Sequence, residues 1–99
     1  MQRIDEKDKV ICVFKGSMDT VACRELETEL VHMLDHCKAD SLPLVFDLAE
    51  VDYIASSFLR ICIMSARQLG KENVNIVNVT HQVKKVFKIA GLSDDLSVR

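Results

Sequence analysis

Three short apolar runs, KVICVFKG at 9–16, SLPLVFDL at 41–48 and NVNIVNV at 73–79, are each followed by a stretch whose apolar residues recur every three or four positions. Strands present alternate residues to one face, and helices present every third or fourth. The chain therefore reads strand, helix, strand, helix, strand, helix, with connections of a few residues. Strands joined through a helix run parallel, with right-handed crossovers. The expected fold is a single α/β domain: a mixed, mainly parallel sheet of four to five strands with helices packed against it. At 99 residues such a domain buries roughly 65% of the surface its unfolded form exposes, enough for a core without staples.

The first run is closed by Gly16, and a weaker strand is expected around Arg3 to Asp5. From Thr20 to Cys37, residues Cys23, Leu26, Leu30, Met33, Leu34 and Cys37 form one apolar stripe, which predicts an amphipathic helix. After the second run a turn is expected through Ala49 to Asp52, then a helix from Ser56 to Leu69 that Gly70 stops. Residues 80–92 read as a short third helix with Val83, Val86, Phe87 and Ala90 on one side; the tail from residue 93 carries no clear periodicity.

In a parallel sheet every strand-to-helix turn emerges at the carboxyl edge, where α/β proteins hold their sites. Those turns are Gly16 to Thr20, Asp52 to Ser57 and Asn78 to His81. The second contains the adjacent serines of DYIASSFLR. One of them can act as the N-cap of the following helix, which accounts for one serine only. The same place suits a phosphoryl group, because the helix dipole and unpaired N–H groups favour negative charge there. On a wheel begun at Ser56, Phe58, Leu59, Cys62, Ile63, Ala66 and Leu69 gather on one arc. Ile61 and Met64 interrupt the polar arc of Ser57, Arg60, Arg67 and Gln68. Those two read equally as an interaction patch or as ordinary exposed apolar residues.

These residues carry a likeness beyond spacing. LVFDLAEVDYIASSFLRICIMSARQLG, followed by an alternating strand and VKKVFKIAGL, resembles the core of the STAS domain, in particular the bacterial anti-sigma-factor antagonists. Those show a strand ending in D-L, a turn, and D-S-S-G-L opening a helix. FKGSMDTVACRELE resembles their G-x-L-D-x-x-x-A-x-x-L-E segment, and the likeness runs from about Val10 to Leu96. The resemblance implies Ser56 as phosphoacceptor and a partner surface of Asp19, Ser57, Phe58, Ile61 and Met64 around it. It implies an anti-sigma serine kinase as partner, bound by the unphosphorylated form and released by phosphorylation, with a PP2C-type phosphatase restoring binding. A weak homodimer is compatible with it. Some STAS domains are instead scaffolds or transporter accessories without serine phosphorylation. Ala55 stands where the family has Asp, and Phe58 where it has Gly; the ring either enlarges the partner patch or obstructs a kinase.

Other chemistry finds little support. Net charge is −2 with scattered basic residues, apart from Lys84, Lys85 and Lys88, which disfavours nucleic acid. The charged N-terminal stretch lacks a secretory signal and no apolar run reaches the roughly 18 residues of a membrane span, so the expected location is the cytoplasm, without membrane insertion. The four cysteines have no C-x-x-C pair and read as reduced core thiols. His32 and His36 share a helix face but lack a third ligand, so no metal or other cofactor is expected. A hydrolase using Ser56, His81 and Asp19 or Asp52 lacks the Gly-x-Ser-x-Gly elbow. Catalysis is not expected.

Overall fold

The structure, a computed structural model, describes residues 1–92 and 96–99. Its strands are β1 (Gln2–Asp5), β2 (Val10–Met18), β3 (Leu44–Ile54), β4 (Val74–Val77) and β5 (Ser97–Val98). The helices are α1 (Thr20–Ala39), α2 (Ser56–Leu69) and α3 (His81–Ile89), with a single 3-10 turn at Lys71–Asn73. The five strands lie in the order β1-β2-β3-β4-β5; β1 runs antiparallel to β2 and the other pairs are parallel. The expected α/β architecture is present, including the weak first strand. The short last strand emerges from the tail that had no readable period.

The pleat explains the core. Cross-strand partners Cys12, Phe46 and Ile76 share one sheet face, and so do Val10, Leu44 and Val74; all six are buried. Their neighbours Ile11, Val13, Val45 and Val77 point to the other face and are only half-buried. Helix α1 covers the first face with Leu30, Met33, Leu34 and Cys37, placing the Met33 thioether against the Cys12 thiol. Helix α2 covers it with Phe58, Ile61, Cys62 and Ser65. The centre is three rings: Phe14 meets Phe46 and Phe58 edge-on, with centroids 5.3 and 5.1 Å apart. Edge-to-face packing suits the aromatic quadrupole.

Two expectations about strand ends are corrected. Gly16 does not close β2. At φ +74° it takes a backbone conformation that side chains disfavour, and the strand continues to Met18. The turn expected at Ala49 to Asp52 is also strand. Val13 and Lys15 face Asp47 and Glu50, and Gly16 and Ser17 face Val51 and Tyr53, so β3 carries one extra residue at each of two irregularities. Each insertion rephases the pleat. Buried residues in β3 therefore run Leu44, Phe46, Leu48 and then Val51 and Ile54, with exposed residues between them that read as a turn. Beyond Asp47 the strand has left β4 behind. Its paired extension with β2 projects from the carboxyl edge, and α3 packs against β3.

Among the described residues no helix is long and apolar enough to cross a membrane. All four cysteines are free and buried.

Candidate functional site

The projecting β2–β3 pair builds the site. Met18 and Ile54 are register partners, and the Ala55 N–H donates to the Met18 carbonyl at 3.0 Å. The next residues on the two strands, Asp19 and Ala55, therefore leave the sheet side by side as the cap positions of α1 and α2, and Ser56 follows at the same edge. The turn from Asn78 to His81 joins that edge, with Asn78 donating its side-chain amide to Asp47 at 3.2 Å.

The three helices begin differently. Asp19 caps α1, its carboxylate accepting from the Ala22 N–H at 2.9 Å, and Thr80 caps α3 by accepting from the Val83 N–H at 3.4 Å. Helix α2 has Ala55 at the cap position and no side-chain cap bond. Ser56 is thus the first helical residue, not the cap that spacing allowed. Its side chain is exposed, while Ser57 is half-buried and donates to the Thr20 hydroxyl at 3.4 Å. A helix with free first-turn donors beside an exposed hydroxyl is electrostatically receptive to an anion.

The remaining expected contact residues divide. Asp19 is exposed at this edge, and half-buried Met64 lines a groove of about 630 Å³ between α1 and α2. Phe58 is corrected: at 0% exposure its ring belongs to the aromatic centre and offers nothing to a partner or to a kinase's approach. Ile61 is not on an exposed arc, at 7% exposure, but it lines that same groove beside Met64. The outer arc of α2 is not where a wheel drawn on hydrophobicity put it, because α1 packs along the flank that carries Ile61. Sequence reasoning passed over Thr20, Arg24 and Arg60, which line the same groove. The available signal was spacing, since Arg60 follows Ser56 by four residues.

Residues 3–98 match the family model described as "Mlab, STAS domain". The chain belongs to the STAS-domain family. Among STAS-domain relatives it is 30% identical over 93 residues to the Bordetella bronchiseptica protein BtrV, whose name makes it an anti-sigma factor antagonist, covering 92% of this chain and 76% of that one. An anti-sigma factor antagonist from Mycobacterium paratuberculosis superposes with TM-score 0.81 at 25% identity, covering 98% of this chain and 81% of that one. The unphosphorylated form of the antagonist SpoIIAA superposes at 0.75 with 16% identity, over 99% and 86% of the two chains. Its phosphorylated form, from Bacillus, superposes at 0.70 with 15% identity, over 99% and 89%. These STAS relatives are named as regulators, not as enzymes.

Asp19 has a structural duty apart from any partner. Asp19→Ala is expected to cost about 1 kcal/mol through loss of the α1 cap, while Asp19→Asn keeps the accepting oxygen and most of the stability. Thermal melts of the two variants check this; equal losses would show that the charge, not the cap bond, is what matters.

Proposed function

We propose that this chain is an anti-sigma-factor antagonist whose contact with an anti-sigma serine kinase is governed by Ser56. The observation that carries the reading is an exposed serine at the first position of an uncapped helix, on the edge where α1, α2 and the Asn78–His81 turn converge. The 30% identity to BtrV supports it.

Unphosphorylated, the edge presents neutral hydroxyls beside Asp19, and the kinase docks there. Transfer forms a bond between Ser56 Oγ and the γ-phosphorus of ATP, breaks the bond to ADP, and releases the hydroxyl proton to a base on the kinase. The product carries about −1.5 to −2 extra charge close to the Asp19 carboxylate. A surface that fitted the bound kinase becomes one that repels it. A PP2C-type phosphatase hydrolyses the ester and restores binding.

Incubation with ATP and the anti-sigma kinase of the same genome is expected to add one phosphoryl group, absent in Ser56→Ala, with Ser56→Asp weakening the complex at least tenfold. Intact mass, peptide mapping and a binding isotherm read these outcomes. Phosphate on another residue, or none, overturns the Ser56 switch. A second reading, a STAS scaffold or transporter accessory that is never phosphorylated, draws on Ala55 standing where the antagonists have Asp and on the family description "Mlab". It predicts a stable complex indifferent to Ser56→Asp.

A further inference from the structure

Helix α2, SSFLRICIMSARQL, contains no acidic residue. Arg60 lies one turn below Ser56 on that helix, exposed, with no carboxylate partner among the described residues. Residues at i and i+4 are surface neighbours, about 5–6 Å apart at Cβ, and the favourable order places the anion on the N-terminal side. Arg60 also lines the α1–α2 groove together with Thr20, Arg24, Ser57 and Met64. One guanidinium is therefore both a helical neighbour of the serine and part of the groove wall.

We propose that Arg60 is the intramolecular receptor of a phosphoryl group on Ser56, and that pairing draws its guanidinium from the groove toward the start of α2. The proposal rests on Ser56 as acceptor and adds how the phosphate is read. A guanidinium and a phosphate form charge-assisted, two-pronged hydrogen bonds, and the dipole of α2 holds the dianion at the same end. The charged groups around the pair are few. From α1 come Asp19, whose carboxylate already caps Ala22, then Arg24 and Glu27 in the groove; from β3 comes Asp52, which accepts from Ser17 at 3.3 Å. Asp19, Glu27 and Asp52 oppose the phosphate, while Arg24 and His32 in the groove and exposed His81 in the Asn78–His81 turn are the other basic groups on this side. Once Arg60 turns toward Ser56, the groove wall at Met64 loses the cation on its own helix, and Arg24 remains on the α1 side. Phosphorylation is thereby transmitted to a surface the phosphate itself does not occupy.

The test installs phosphoserine at position 56 by genetic encoding, so it does not depend on any kinase. Phosphorus NMR titrations would compare this protein with the same phosphoprotein carrying Arg60→Gln, Arg60→Lys or Arg24→Gln. Its phosphate is expected to give up its last proton with a dissociation constant at least twofold larger than in the Arg60→Gln protein, with Arg60→Lys keeping part of the difference and Arg24→Gln keeping nearly all of it. The Met64 methyl resonance should shift on phosphorylation only when residue 60 is cationic. Identical titrations with Arg60 and with Gln at position 60, or a difference that follows Arg24, would overturn the proposal. Failure of the kinase to label Ser56 would instead count against the acceptor reading and leave the NMR result standing.

Discussion

Phe58→Ala is expected to destabilise the domain by about 3–5 kcal/mol, the range for emptying a buried aromatic site. A domain of this size has only about 5–15 kcal/mol in total, so the variant should lose a large share of its stability. The ring has no solvent exposure, meets Phe14 edge-on at 5.1 Å and lies 6.3 Å from Phe46. Removing it opens a space that α2 cannot close without leaving its seat on β2 and β3. Phe58→Gly should be worse by about 1 kcal/mol, because glycine adds a helix penalty. Phe58→Leu, which keeps most of the volume, should lose about 1–2 kcal/mol. Urea titration reads all three. A loss under about 1 kcal/mol in Phe58→Ala would mean that the ring lies outside the core.

Alkaline solution is the second condition to which the fold should respond strongly. Burial, with a lesser push from Cys37, raises the Cys12 thiol from the ordinary 9.0 to about 12. Burial, helped by Cys23, raises Cys62 in the same direction. Between these limits the native state holds protons that the unfolded chain gives up, so rising pH favours unfolding. The thiol contribution is complete below about pH 9 and is lost progressively toward about 12, at up to about 1.4 kcal/mol per pH unit for each thiol. Stability measured by urea at about pH 8, 9.5 and 10.5 should therefore fall more steeply in the wild-type chain than in Cys12→Ala or Cys62→Ala. Lysine and tyrosine titration is common to all three proteins, and the constant cost of the missing sulfur cancels from the slope. Parallel slopes would refute the assignment. The same burial should keep a thiol reagent from reacting at neutral pH until the protein is unfolded.

The elements were legible where one face alone decides the pattern. Helix α1 repeats its stripe over about four turns, so Cys23 through Cys37 could be assigned to the core from spacing, and α2 begins at Ser56 and ends at Leu69 as expected. The family likeness brought Asp19 and Ser56 together, and the register pair Met18 and Ile54 supplies the physical reason for their closeness. Illegibility began where the period changed. Ala49, Glu50, Asp52 and Tyr53 look like a turn because two inserted residues in β3 expose them in pairs. The flank of α2 was misjudged for a related reason. Ile63 is as apolar as Ile61, yet only Ile61 is buried, because burial follows from the neighbour and not from the side chain's own preference.

Alternation of twofold and 3.6-fold periods was sufficient, by itself, to dictate a mainly parallel α/β domain and to place the paired serines at the carboxyl edge, since both periods are local properties of the chain. The tertiary structure alone decided that Phe58 fills the core, that α2 starts without a cap bond, and that Arg60 lines the α1–α2 groove. Each of these depends on how β3 is rephased against β2 and on which side α1 lies against α2. Those are relations between segments distant in the chain, and no pattern within any one segment contains them.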